Sequence, residues 1–368
     1  MTDQLATTGP DLGLVDDLLV ESAERLFAGV CSFEAVQAAE ADGWAPAVWQ
    51  AVAEAGFAWI GVPEQAGGSG GTLADACEVL RAAGAHAAPI PLAETGILGG
   101  WLLAEAGLAL PEGPVSVVPG AAGDTLSATV AGDGSVTLDG NATRVPWAAK
   151  AERVVALVST PDGERVVSIP GGAGIREPAT NLAGEPRDTL RFDGLTVAAD
   201  SVGLPSAAVT AESLRLRGAL SRVMLMAGAL EAMSRLTVEY TEQRQQFGRP
   251  VARFQAVQQH LVWGAQDAAI TKMAAQVAAR QASRHFESSH FEIASARTVA
   301  EGCANTATRW AHQAHGAMGM TQEYALHHLS RRLWSWRQEY ARPNEWPRTV
   351  GRMAEAAGAA GLFPLITG

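Results

Sequence analysis

The sequence predicts an α+β fold in three successive parts: a helical domain over residues 1–112, a small central β-domain over 113–203 and a helical bundle domain over 204–368. Three observations predict it. Apolar residues recur at helical spacing up to about residue 110, short runs rich in Val, Thr and Leu follow, and helical spacing returns after Pro205. At 368 residues the chain can bury a large core in two or three compact units.

Leu18, Leu19, Ala23, Leu26 and Phe27 form the first apolar stripe. Ala47 to Ala55 form a second, with Pro46 suited to a helix start, and Ala74 to Gly84 and Leu98 to Ala106 are later candidates. Between them GVPEQAGGSGG, Gly61 to Gly71, is a glycine loop that opens a helix but lacks the G-K-S/T ending and preceding strand of a phosphate cradle. SATVAGDGSVTLDG predicts a hairpin turning at Gly132-Asp133-Gly134. ERVVALVS and ERVVSIP supply two more strands. Leu216, Leu220, Val223, Ala227 and Leu230 then recur at spacings of four and three, as in a bundle helix, and Val251 to Ala282 and Phe291 to His315 continue likewise. Gly358 to Gly368 is a small apolar tail suited to docking on a neighbour.

The net charge of −12 argues against a general nucleic-acid surface. No apolar run reaches the length of a membrane helix, and MTDQLATTGP lacks the order of a signal peptide, so a cytoplasmic location is expected. Cys31, Cys77 and Cys303 are odd in number and far apart, which suggests reduced thiols and neither a disulfide framework nor a metal site.

The most informative stretch is YTEQRQQFGRPVARFQAVQQHL, Tyr240 to Leu261. It sets Arg244, Gln246 and Phe247 before the breakers Gly248 and Pro250, with Phe254, Gln255 and Gln258 reopening a helix behind them. An Arg fork can grip a pyrophosphate, amides can donate to phosphate and ribose oxygens, and a Phe can cover a flat ring. The plainer reading is an Arg- and Gln-rich helix end with both Phe residues in the core. The stretch resembles the R-x-x-F-G-x-P…F-Q-x-x-Q signature of acyl-CoA dehydrogenases, which holds FAD across a subunit interface. A second segment, AHQAHGAMGMTQEYALHHLSRRL, resembles the family's Q-x-H-G-G-x-G-x-x-x-E-Y-x-L-x-R, which holds the adenosine half of the partner's FAD. Gln313, His315, Gly316, Gly319, Glu323 and Tyr324 match it, while Ala317 replaces the second glycine. The order of helices, β-layer and bundle is also the family's, so the resemblance covers nearly the whole chain.

The resemblance implies α,β-desaturation of a CoA thioester, with FAD as cofactor and a glutamate as base. Neither family position for that base carries Glu here: one aligns with Ser221, beside Arg222, and the other with Tyr340. Glu339, one residue earlier, is the one weak candidate for a catalytic residue, and a surface Glu between Arg337 and Arg342 explains it as well. Tyr340 would have to lose several units from the phenol value of ~10 to act as a base. The family's flavin-contacting loop is not supplied by SVVPGAAGDTLS, and NATRVPWA puts Arg144 and Pro146 where flavin contacts belong, with Trp147 read as core. Residues resembling those that reach a neighbour's FAD are thus kept, namely Arg244, Gln246, Phe247, Gln255, Gln313 and Gly316, with Ala317 altered. Residues for the chain's own flavin and base are not. The pattern resembles one subunit of the two-gene heterotetramers of actinobacterial steroid side-chain degradation, with a homologous partner supplying the base. The rivals are a self-sufficient homo-oligomeric flavoenzyme and a catalytically silent scaffold subunit.

Overall fold

The computed structural model describes residues 15–341 and 344–367. Arg342, named above beside Glu339, and the amino-terminal decapeptide lie outside the described residues. Helix α1 (Asp17–Val30) starts where the Asp16 carboxylate accepts from the Leu18 amide at 2.9 Å. It buries Ala23 and Phe27, but Leu18 points outward at 68% exposure and is not part of the buried stripe. Helix α2 (Phe33–Asp42) escaped the sequence reading because it buries only Val36 and Ala39, too thin a stripe for a periodic signal. Helix α3 (Pro46–Glu54) has proline in its first turn, and α4 (Leu73–Ala85) opens on a reciprocal capping box between Thr72 and Asp75. The loop Gly61 to Gly71 folds on itself. Its Gly61, Gly68 and Gly70 amides donate to the carbonyls of Gly70, Pro63 and Val62, so they are not free to cradle a phosphate. A π-helix (Ala93–Gly100) leads into α5 (Trp101–Glu105), and starts five residues before the expected Leu98.

Two four-stranded sheets form the middle of the chain. In the first, β1 (Val115–Val117), β4 (Arg153–Thr160), β5 (Gly163–Pro170) and β8 (Val202–Gly203) lie in the order β1-β4-β5-β8, with β1 and β4 parallel. In the second, β2 (Ser127–Val130), β3 (Val136–Pro146), β6 (Ile175–Glu177) and β7 (Arg187–Val197) lie in the antiparallel order β2-β3-β7-β6. Val136, Leu138, Val154, Val167, Ile169 and Phe192 interlock in the core associated with these strands. The two-or-three-residue strands β1, β6 and β8 are too short to show alternation in sequence.

Helix α6 (Ala211–Gln243) opens on a second capping box, Thr210 with Ser213, and all five residues of its predicted stripe are buried. A two-stranded ribbon, β9 (Gln245–Gln246) with β10 (Arg249–Pro250), turns the chain into α7 (Gln255–Arg284). Helices α8 (His290–His315), α9 (Leu326–Trp336) and α10 (Glu345–Thr367) follow, the last broken at Gly358, whose φ is 62°. Beyond that break Leu362, Phe363 and Ile366 are exposed, as an apolar docking tail would be. No described helix is long and apolar enough to cross a membrane.

Helices α4 and α6 cross at backbone contact distance. A Cβ on Gly228 would lie 1.9 Å from the Arg81 carbonyl oxygen, and one on Gly84 would lie 2.3 Å from that of Leu225. Both contacts are with backbone, which cannot swing aside. Arg81 of α4, held by Glu78 of the same helix at 2.7 Å, ties the crossing through Glu231 of α6 at 2.8 Å. Gly228→Ala is therefore expected to destabilise the fold by about 2 kcal/mol or more through overpacking. Gly29→Ala, with nothing within 4 Å of its new Cβ, should instead be neutral or stabilise by up to ~1 kcal/mol. Thermal melts of the two variants check the contrast, and equal shifts would remove the crossing from the argument.

Candidate functional site

The residues at the two expected base positions meet at a buried cluster of charges. Ser221 and Arg222 lie in the middle of α6, and both are essentially inaccessible to solvent. Ser221 donates to the Gly218 carbonyl at 2.7 Å, which is a local helix contact and gives it no base to activate it. Arg222 donates through Nη2 to Glu94 on the π-helix at 2.5 Å and through Nε to Glu339 at 2.5 Å. The other oxygen of Glu339 accepts from Arg187, at the start of β7, at 2.8 Å. Arg187 also donates to Glu185 at 3.0 Å, and Glu185 accepts from the Trp336 indole at 3.1 Å. Arg332 of α9 stands 3.5 Å from Glu185.

Glu339 is thus neither a surface residue nor paired with Arg337. Burial alone would raise its pKa, but Arg187 and Arg222 outweigh burial and hold it down at about 2. A carboxylate so stabilised has little affinity for a proton, which disfavours Glu339 as a general base. Tyr340 is shifted the wrong way for the same role. Burial pushes its phenol well above the ordinary value, with Arg222 opposing. Arg222 itself stays charged, because Glu94 and Glu339 more than offset its burial.

The turn carrying these two residues is fixed from below. Arg297, on α8 and fully buried, donates to the carbonyls of Trp336, Arg337 and Glu339 at 3.3, 2.9 and 3.1 Å, and pairs with Glu301 at 3.1 Å. It thereby caps the end of α9. Tyr340 takes a left-handed φ of 59° and lays its ring on Gly218, where a Cβ would come within 2.2 Å of it. Trp147 is buried as well, with its indole donating to the Gly43 carbonyl at 2.7 Å and Arg187 stacked 4.7 Å over its ring. The cavity left among Glu94, Trp147, Glu185, Arg187, Arg222 and Trp336 is about 10 Å³, room for one water. Arg187, Glu185 and Glu94 were not singled out from sequence.

The other predicted residues lie at a solvent-facing corner. Arg244 caps the end of α6, Gln246 is on the ribbon, Gln255 opens α7, and Gln313 is near the end of α8; all four are exposed. Among the described residues none of the four side chains has a hydrogen-bond partner. Phe247 is 92% exposed in a left-handed conformation, φ 52°, edge-on to Phe254 at 6.1 Å. The two motifs adjoin. Tyr240, one turn before Arg244, stacks on His315 at 4.5 Å and meets Tyr324 edge-on at 5.3 Å. His315 immediately precedes Gly316, whose φ of 61° needs glycine and whose missing Cβ leaves open space. Ala317 is exposed in the 3-10 turn that follows and takes no left-handed φ. A free guanidinium, free amides and an open glycine backbone beside an exposed ring suit the diphosphate and adenosine of a dinucleotide.

The sequence matches two family models, "Acyl-CoA dehydrogenase, N-terminal domain" over residues 16–109 and "Acyl-CoA dehydrogenase, C-terminal domain" over residues 210–336. The chain belongs to the acyl-CoA dehydrogenase family. FAD is the cofactor of this family, whose reaction class is oxidation of a CH–CH bond. Acyl-CoA dehydrogenase FadE27 of Mycobacterium tuberculosis is 31% identical over 237 residues, 59% of this chain and 61% of that one. Acyl-CoA dehydrogenase IpdE2 of the same organism is 28% identical over 349 residues, 92% of this chain and 96% of that one. A solved "Tcur3481-Tcur3483 steroid ACAD" superposes with a TM-score of 0.81 at 22% identity, covering 93% of this chain and 98% of its own.

The ionisation of Glu339 has a consequence for stability. Its pKa is depressed in the fold, so its contribution is full above the unfolded value of ~4.3 and is lost as pH falls toward about 2. Glu339→Gln should lower stability at pH 7 by about 3 kcal/mol, the scale for breaking a buried pair. That deficit should shrink as pH falls from ~4.3 toward 2. Urea unfolding of parent and variant across this range measures it, and a deficit independent of pH would mean that the group is not ionised in the fold.

Proposed function

We propose that this chain is one subunit of a heteromeric, FAD-dependent acyl-CoA dehydrogenase that desaturates a CoA thioester carrying a steroid side chain. It supplies the grip on the FAD diphosphate and adenosine in trans, and a homologous partner supplies the base and the flavin-ring contacts. The observation that carries this reading is the opposition between the two regions. The interior, where the family resemblance puts a base, is filled by Arg222, Glu339 and Arg187 down to one water's space, while the corner that would reach a neighbour's cofactor is open and unpaired.

In this assignment Arg244 forks onto the pyrophosphate, Gln246, Gln255 and Gln313 donate to phosphate and ribose oxygens, Phe247 covers a ring, and Gly316 with Ala317 gives close backbone approach. FAD supplies the hydride acceptor. The steroid reading is supported by the two-chain steroid dehydrogenase that shares the fold.

Purification with and without a homologous partner tests the reading through the visible flavin spectrum. The expected result is no tight flavin on the chain alone, and about one FAD per two chains in an active assembly with equal numbers of each. Stoichiometric flavin on an active assembly of this chain alone would favour a self-sufficient enzyme. In the heteromer, Arg244→Ala should weaken FAD retention by roughly 1.5–3 kcal/mol, the size of a charge-assisted hydrogen bond. Flavin occupancy after serial dilution reads the change, and unchanged retention would favour a silent scaffold.

A further inference from the structure

Helix α7 turns to solvent a face without charge. Between Gln255 and Val277 every exposed position on it is Gln, Ala, Val, Ile or Met. A surface helix ordinarily turns charged residues to water. The two charges within that span are held by neighbouring helices: Asp267 accepts from the Thr306 hydroxyl at 2.6 Å, and Lys272 pairs with Glu231 at 2.7 Å. Val262, Ile270, Met273 and Val277 are each about half exposed or more, with Met273 at 62%. Their spacings of eight, three and four set them on one stripe ~24 Å long. Ala269 lies within the same stripe, and its small side chain leaves room for another helix to come close.

We propose that this face packs antiparallel against the same face of a second copy of this chain, about a two-fold axis between Ala269 and Ile270. Charge selects that occupant. A two-fold axis sets each group near it against its own counterpart, so any charge there meets a like charge, and this stripe carries none. The sequence along the stripe also matches its own reverse. With Ala269 opposite Ile270, Val262 falls opposite Val277 and Gln266 opposite Met273, so the smallest side chain receives the branched one and no charge is covered. Area sets the role of the contact. An exposed face 23 residues long and one helix wide covers ~350 Å², under half of the ~800 Å² per partner of a stable interface. The contact therefore joins units that are already held together elsewhere. In this it rests on the heteromeric reading above: α7 begins at Gln255, in the corner assigned to a neighbour's FAD, and its apolar stripe runs on from there to join the two halves of the assembly.

The test uses the purified assembly that contains this chain, with mass and flavin content both measured. The parent assembly should hold two copies of this chain. Ile270→Glu sets two carboxylates beside the axis and should weaken association of the halves at least ~100-fold, so that the mass halves at micromolar concentration while flavin per half is kept. Ala269→Cys should form, on mild oxidation, a disulfide that joins two copies of this chain, absent from the parent with its own three thiols. Both substituted positions are exposed, and an unchanged circular-dichroism spectrum checks that the fold is intact. A single copy in the parent assembly, an unchanged mass for Ile270→Glu, or an Ala269→Cys chain that links to a homologous partner or to nothing would overturn the proposal. Flavin content reports separately on the heteromeric reading. If the assembly holds this chain alone with stoichiometric flavin, that reading fails, and the mass of Ile270→Glu still decides whether α7 joins two copies.

Discussion

The burial of the Arg222 guanidinium in the middle of α6 constrains the rest of the molecule. A cation removed from water must be met by charge, and the partners come from distant parts of the chain: Glu94 from the π-helix and Glu339 from beyond α9. Glu339 is itself buried enough to need a second cation, Arg187 at the head of β7. Arg187 takes Glu185, and Glu185 takes the Trp336 indole and faces Arg332. Each addition satisfies one group and brings in another, so amino-terminal helices, central sheet and carboxy-terminal bundle are tied at one place. Such networks stabilise little over an apolar core of the same shape, but breaking one leaves an uncompensated charge and so fixes the relative placement of the parts.

The same electrostatics bear on chemistry. A general base works best with a pKa near the operating pH, and two guanidiniums hold Glu339 far below it. Arg297 keeps the turn that carries Glu339 and Tyr340 against α6 by capping the end of α9, so the carboxylate cannot leave its arginines without uncapping that helix. The cavity beside it has room for about one water and is lined by Glu94, Glu185, Arg187 and Arg222 together with apolar side chains such as Leu80, Ile90 and Leu225, so an acyl chain or a flavin ring does not fit there as the side chains stand.

The legibility of the sequence divides along the same line. The placement of the exposed corner was readable because its residues lie in two contiguous stretches, where breakers at Gly248 and Pro250 place Arg244, Phe247 and Gln255 around one turn. Long elements such as α6 were readable from their period. The interior network was not, because its members come from separate segments and no spacing links Glu94, Arg187, Arg222 and Glu339. One signal was present: Glu94 in PLAETGILGG and Arg222 in ALSRVMLMAGAL are lone charges inside apolar runs, where a charge must be paired when buried. Reading these two as partners would have identified the ion pair. Helix α2 was missed because two buried positions make no period, and β1, β6 and β8 because they are too short to alternate.

The exposed corner poses the opposite energetic problem. A phenylalanine 92% exposed in a left-handed conformation gains little from burial and carries backbone strain on the order of 1 kcal/mol or more. Arg244 beside it has no counter-charge among the described residues, and Gly316 keeps an open backbone that any side chain would close. None of these features stabilises the isolated chain. They become favourable together when an anionic, partly flat group covers them, because the guanidinium then gains a charge-assisted pair, the ring loses its contact with water and the strained turn is held by what it touches. Stability in this chain is concentrated in the closed interior, and the exposed corner keeps side chains that the fold positions and does not satisfy.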